Sequence, residues 1–304
     1  ITIPTTRNNQ TITDYSDVIN TRSILVGKTS GGVYNNVSTE AVTNHLEVAL
    51  PRTAFGELST VEITPVIQVN FIYNINTDIV DTTVTGTGTV TQSNAAAVVS
   101  SGTTAGSTAK LSTKRVIKYR PGQGCVIRGT AIFTTGEAGT EQLFGVGDAV
   151  DGLFYGYNGA DFGVLHRVNS VDTWVLQASW NGDKLLGSGD TGMTLDPTKG
   201  NVYEIQYQWL GFGMIKFSIE DSETGKFIPV HYIKYANANT TPSLYNPSFP
   251  IIWSVDNTGT TTDLIVKGSS CAGNIEGKVV YLGPRHSIGN TKTAITSTLT
   301  NIVT

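Results

Sequence analysis

The chain has 304 residues, a net charge of −4 and only 14% charged residues, with 33 Gly, 12 Tyr, 10 Phe and 4 Trp. Charge is well below the roughly 25% of an average globular chain, and a net acidic protein pairs poorly with a polyphosphate at physiological salt, which argues against a nucleic-acid partner. No apolar run approaches the ~18 residues of a membrane helix. Cys125 and Cys271 have no metal-ligand spacing and are expected as buried free thiols, with one disulfide as the alternative.

Residues 1–60 are polar, with scattered β-branched positions and no steady period. RSILVGKTSGGVYNN at 22–36 offers two short strands around a Ser-Gly-Gly turn, and STEAVTNHLEV at 38–48 is the one stretch with helical character. The expectation is an extended arm with short hairpins that gains its order by packing on a neighbouring subunit.

From Val61 the period-2 alternation of half-buried strands takes over. VIQVNFIYN at 66–74 reads as a strand. The Thr/Val-rich run at 81–113 reads as short strands turning at Ser-Asn and Ser-Gly, and VIKYRPGQGCVIRGTAIF at 116–133 as two strands around Pro121–Gly124. Residues 140–235 form the densest alternation. After Val202, the side chains of Tyr203, Ile205, Tyr207 and Trp209 share an inward face, continued by Ile215, Phe217 and Ile219, while Glu204, Gln206, Lys216 and Ser218 face outward. DSETG at 221–225 predicts a hairpin with Gly225 at positive φ. WSVDNTGTTTDLIVKGSS at 253–270 predicts another, turning at Asn257-Thr258-Gly259. The fold class is therefore all-β: a two-sheet antiparallel sandwich of jelly-roll or concanavalin-like type over 61–283, with the arm at 1–60 and a C-terminal tail at 284–304.

Charge is unevenly spread. Residues 82–136 hold no Asp or Glu but carry Lys110, Lys114, Arg115, Lys118, Arg120 and Arg128. Pairing within the fold or with a neighbouring subunit is the expected use of that basic segment.

The chemical motifs are weak. Gly187, Gly189 and Gly192 match G-x-G-x-x-G, but Pro197 and Gly200 stop the helix that a dinucleotide site requires, so the segment reads as a loop. Glu220 and Glu223 straddle a turn, and no paired-carboxylate arrangement of a sandwich glycosidase is visible, so no catalytic residue is assigned. Asp148 and Asp151, with Asn158 or backbone carbonyls, form a candidate calcium pair, with turn capping as the competing reading; no other cofactor is expected. Trp174, Trp180, Tyr155 and Tyr157 are the candidate sugar-stacking aromatics, with the core as their alternative fate. His166 and His231 read as packed imidazoles. Asn9, Asn36 and Asn239 stand in glycosylation sequons.

Several runs carry a resemblance. AFGELSTVEITPVIQVNFIYN at 54–74 resembles an AFG-R-L-R-V-S-x-P strand of virion proteins of tailed phages and large DNA viruses, with Glu57 and Ser59 where Arg is usual. YRPGQG at 119–124, VGDAVDGLFYGYNGADFGVLHR at 146–167, LDPTKGNVYEIQYQWLGFGMIKFSIED at 195–221 and VHYIKYANANTTPSLYNP at 230–247 resemble the body of a β-sandwich structural protein of giant viruses and some phages. The resemblance implies a non-enzymatic virion protein: a minor capsid, decoration or spike subunit. Such a subunit would form a homo-oligomer, a trimer, in contact with other capsid proteins. The layout of 146–221 also resembles concanavalin-like lectin sandwiches, which implies the alternative of a carbohydrate-binding module meeting a host-surface glycan.

Overall fold

The computed structural model describes residues 60–278 throughout and, before them, the backbone of four short strands. The chain divides into two compact units, Ile1–Thr60 and Val61–Thr304. In the first, β1 (Thr6–Arg7) pairs with β2 (Gln10–Thr11), and β3 (Leu25–Lys28) pairs with β4 (Tyr34–Val37), the hairpin expected around the Ser-Gly-Gly turn. The helical stretch at 38–48 and the tail at 284–304 lie outside the described residues.

The second unit is the two-sheet antiparallel sandwich. One sheet has seven strands: β14 (Val171–Leu176), β13 (Asp161–Val168), β12 (Gly152–Asn158), β11 (Thr140–Gly147), β18 (Ile251–Asn257), β9 (Ser107–Thr113) and β6 (Val80–Thr85), in that spatial order. The other has nine. Its path runs β17 (Phe227–Ile233), β16 (Ile215–Glu220), β15 (Asn201–Tyr207), β10 (Cys125–Phe133), β19 (Ile265–Gly268), β8 (Ala96–Ser100), β7 (Thr89–Ser93). β20 (Ser270–Glu276) pairs with β10 beyond the end of β19 and carries β5 (Ile63–Asn70) on its far side.

Alternation explains the layering. Tyr203, Ile205 and Tyr207 from β15 and Ile215, Phe217 and Ile219 from β16 are all buried, as their spacing predicts. They meet Phe144 and Tyr155 of the facing sheet: Tyr155 and Tyr203 have ring centroids 4.7 Å apart, Tyr155 and Phe217 5.3 Å, and Phe144 and Tyr203 5.9 Å. Edge and tilted contacts of this kind add to the area term of burial. The β7–β8 hairpin turns on Asn94 and Ala95, both left-handed at φ 52 and 58, which is the two-residue turn whose twist suits neighbouring strands. Gly225 takes φ 68 in the β16–β17 turn, as anticipated.

Four expectations are corrected. Residues 253–270 are not a hairpin: β18 and β19 lie in different sheets, and the chain crosses between them. Asn257, fully buried, holds the crossing by donating to the carbonyls of Thr260 and Thr262 and accepting the Thr260 N–H. Of the two strands foreseen at 116–133 only β10 forms; the earlier half makes a single bridge, Ile117 to Phe249. Glu204 keeps the outward face but is 2% exposed there, because Arg128 beside it binds its carboxylate with Nε and Nη2 at 2.8 Å each. Trp209 packs against the core as expected but lies beyond the end of β15 and is only half-buried, its indole N–H donating to the Leu244 carbonyl at 3.1 Å.

Candidate functional site

The outer face of the seven-stranded sheet gathers chemistry that no local motif announces. Cross-strand register places Trp174, Leu165, Phe154, Gly145 and Ile252 in one row across β14, β13, β12, β11 and β18. The next row is Leu176, Gly163, Gly156, Leu143, Ser254 and Lys110, and the one after it Asp161, Asn158, Glu141 and Asp256. Leu143, Phe154, Leu165 and Ile252 form a buried apolar cluster against which Trp174 packs. The three glycines are required there: a Cβ at Gly145, Gly156 or Gly163 would run into the carbonyl oxygen of Leu153, Gln142 or Val175.

Arg167 stands level with Gly152 and Gly147, while Glu141 stands level with Asn158 and Asp161. Those levels are six residues apart on β13, about 20 Å of extended strand. Yet Arg167 Nη2 lies 3.8 Å from Glu141 Oε1, so the twist of the sheet and two long side chains bring this diagonal of the face together. Along its course the Arg167 guanidinium lies 5.7 Å above the Phe154 ring and grips Asp172 with Nε at 2.6 Å and Nη2 at 2.8 Å.

Electrostatics follow from the crowding. Burial pushes the Glu141 carboxyl up to about 7; Asp172 and Asp256 add to the shift and Arg167 opposes it. Asp256, directly opposite Glu141 on β18, is raised by burial as well. Arg167 is raised by its hydrogen bond to Asp172 and stays charged. The accessible part of the face is its rim, with Trp174 half-buried and Leu176, Lys110, Asn158, Asp161 and Asp172 exposed.

Of the anticipated stacking aromatics, only Trp174 reaches this surface. Tyr155, Tyr157 and Trp180 are 0%, 7% and 2% exposed. Tyr155 faces the opposite sheet, Tyr157 packs on Phe133 and Phe162, and Trp180 donates its indole N–H to the Val175 carbonyl. In strict alternation the β12 tyrosines share the inner face while Phe154 takes the outer one. Those three side chains cannot stack on a sugar.

Asp148 and Asp151 act as turn caps. Asp148 Oδ1 accepts the N–H groups of Val150 and Asp151. Asp151, 1% exposed, accepts those of Asn169, Tyr245 and Asn246. Asn158 stands at the opposite end of β12 from Asp151. Among the described residues no group of three or more His, Cys, Asp or Glu side chains gathers as metal ligands would. His166 donates Nε2–H to the Ser243 carbonyl at 2.6 Å and His231 Nδ1 accepts the Asn181 N–H; burial holds both imidazoles below their ordinary value. Cys125 and Cys271 are buried free thiols. Depressions of 190 and 430 Å³ on the outer face of the nine-stranded sheet, beside Thr130 and Ser269 and beside Arg128 and Ser270, carry no aromatic platform.

Glu141, Asp256, Arg167 and Asp172 were not singled out by sequence reasoning. The local signals were the alternation of Glu141 with Leu143 and the pairing of Arg167 with Asp172 five residues on, across the β13–β14 hairpin; the rest is long-range register. No helix among the described residues is long and apolar enough to cross a membrane.

No protein-family model matches the chain, and no curated protein does. Among solved structures, it is similar to a glycosyl hydrolase family protein from Mycobacterium fortuitum, at 10% identity over 69% of this chain and 99% of the other, with a TM-score of 0.48. It is similar to the CBM2 module of the evolved Dit of Lactobacillus casei BL23 phage J-1, at 11% identity over 73% and 100%, with a TM-score of 0.46. A beta-1,3-glucanase from Mycobacterium marinum gives 11% identity over 69% and 98%, with a TM-score of 0.45. Likenesses this distant assign no residue and no activity to the chain. What stands is a β-sandwich module, an architecture that serves both structural and carbohydrate-handling proteins.

Proposed function

We propose that the chain is a non-catalytic carbohydrate-recognition module that holds an extended glycan along the outer face of its seven-stranded sheet. The observation that carries this is Trp174, half-buried on that face, one row from the Arg167–Asp172 pair and two rows from the Glu141–Asp256 carboxylates. A sugar ring offers one apolar face and a girdle of hydroxyls. An indole supplies the platform, and carboxylates with amide and ammonium groups (Asp256, Asp161, Asn158, Lys110) supply acceptors and donors at the rim. The setting we propose is the virion, as a homo-oligomer contacting other capsid proteins. That setting is supported by the quoted runs at 119–124, 146–167, 195–221 and 230–247 and by the low charge and high Thr content. The test is a glycan array probed with wild type and Trp174→Ala. Retention of a glycan signal lost in the variant supports the reading; a wild type that binds no glycan overturns it.

A second reading, hydrolysis, is favoured by one observation. Glu141, pushed up to about 7 by burial, faces Asp256 directly across the strand pair, and two facing carboxyls are the pairing glycoside hydrolysis uses. Release of reducing ends from a bound glycan, abolished in Glu141→Gln, would replace the binding reading with this one.

A further inference from the structure

The connector between β15 and β16, residues 208–214, presents large apolar side chains to solvent. Leu210 is 65% exposed, Met214 51% and Phe212 37%, and Tyr245 in the adjoining loop is 55% exposed. The tip is a rigid turn. Gly213 N–H donates to the Trp209 carbonyl, Leu210 N–H donates to the Tyr119 hydroxyl at 3.0 Å, and Ser243 N–H donates to the Gly211 carbonyl at 2.8 Å. Gly213 is obligatory, since a Cβ there would strike the Gln208 carbonyl. Leu210 itself is held left-handed at φ 38, a conformation that Asn or Gly adopts at far lower cost than a bulky residue. Folding therefore disfavours leucine here twice, through its backbone and through its exposure. A contiguous exposed apolar cluster on a pinned turn marks a contact surface.

We propose that this tip docks on an anionic lipid surface, inserting Leu210, Phe212 and Met214 among the acyl chains at the headgroup boundary. The charge around the tip selects lipid as the occupant. Residues 205–219 and 225–255 contain no Asp or Glu. Lys118 precedes the tyrosine that pins Leu210. Lys234 directly follows Ile233, the partner of Ile215, and Lys216 lies two residues past Met214. The carboxylates near the two loops are engaged: Glu276 accepts from Gln208, Asp151 is buried beneath Tyr245 and Asn246, and Asp148 caps its own turn. Lysines flanking an apolar tip suit the negative potential of an anionic leaflet. A fluid acyl phase also accepts projecting side chains without the shaped pocket a protein partner would need.

The experiment is flotation of the full chain with vesicles of phosphatidylcholine alone and of phosphatidylcholine with phosphatidylserine. Wild type is expected to float with the mixed vesicles, less so as salt is raised. Leu210→Asn combined with Met214→Gln should weaken that binding at least about tenfold, because burying one such side chain is worth a decade of affinity or more. Asn keeps the left-handed turn, and Met214→Gln alone, which makes no backbone demand, gives the same direction if the pair misfolds. Lys118→Ser with Lys234→Ser should lower binding to the mixed vesicles only. A wild type that stays unbound with both vesicles overturns the proposal, as does a Leu210/Met214 variant that floats equally well. Loss of a vesicle-free oligomer in the variant, without lipid binding by the wild type, would assign the tip to a second copy of the chain instead.

Discussion

The hydroxyl of Tyr155 in the seven-stranded sheet donates to the carbonyl oxygen of Ser218 in the nine-stranded sheet at 2.9 Å, and it shares that hydrogen with the Glu204 carbonyl at 3.2 Å. Ser218 and Glu204 are themselves opposite each other on β16 and β15. One side chain thus bolts the inner face of one sheet to the backbone ladder of the other. Burial raises the Tyr155 phenol well above its ordinary value, so it remains a donor at any working pH.

Tyr155→Phe removes that bolt while keeping the ring stacked on Tyr203 and Phe217. The expected loss is about 1 kcal/mol, the net worth of one buried hydrogen bond, read as a shift of the urea midpoint with an unchanged slope. Tyr155→Ala should cost about 3–5 kcal/mol, as deletion of a buried aromatic does. Equal losses for the two variants would show that the hydroxyl contributes nothing.

Trp174 and Trp180 offer the sharpest contrast between surface and core. Trp180→Ala, at a site 2% exposed, should destabilise by about 3–5 kcal/mol. Trp174→Ala should abolish glycan binding while lowering the melting temperature far less. A Trp174 variant that melts like the Trp180 variant would place both rings in the core and remove the stacking platform.

The raised Glu141 carboxyl makes a signed pH prediction. Its folded value, about 7, lies above the ordinary 4.5, so the folded state binds the proton more tightly than the unfolded one. The stability from that proton is fully present below 4.5 and is lost as pH rises through 7. Glu141→Gln cannot ionise, so the variant should gain stability relative to wild type between pH 4.5 and 8. His166 and His231, held below their ordinary value by burial, act in the opposite sense and destabilise as pH falls through 6.5 and below. They are common to both proteins and cancel in the difference of melting temperatures. A difference that stays flat with pH would contradict the raised value.

Much of this architecture was legible because it depends on near neighbours. The inward set Tyr203, Ile205, Tyr207, Ile215, Phe217 and Ile219 follows from period two alone, and the turn at Gly225 follows from a residue that tolerates positive φ. The turn read at Ser93-Asn94 forms one residue later, on Asn94-Ala95, because nothing in an alanine announces a left-handed conformation. What failed depends on partners far along the chain. Asn257 looked like a hairpin turn because its neighbours are Thr and Gly. Its buried amide instead closes a crossover between sheets. Glu204 alternated into the polar set, and only Arg128, 76 residues away, explains how a carboxylate is buried there. Tyr155, Tyr157 and Trp180 were recognisable as aromatic but not as inward-facing, since an aromatic residue suits either face of a strand. The meeting of Glu141 with Asp256 in its row and with Arg167 from the far end of β13 required the register of four strands, which no window of sequence contains.

The Arg128–Glu204 pair tests whether a buried charge is tolerated or exploited. Glu204 is 2% exposed, and Arg128 lies 4.9 Å above the Phe227 ring, with two nitrogens on one carboxylate oxygen. Arg128→Ala would strand the carboxylate, at an expected cost of about 3–5 kcal/mol. Glu204→Gln removes the charge that burial penalises and keeps an oxygen for Arg128 to bind, so it should cost much less. Joining it to Arg128→Met, which retains the stem over Phe227, should recover most of what Arg128→Ala loses, because no uncompensated charge remains. Denaturant midpoints of the single and double variants form a cycle whose coupling term is the measurement. Strictly additive losses would show that the two residues act independently, and the burial of Glu204 would then need a different explanation.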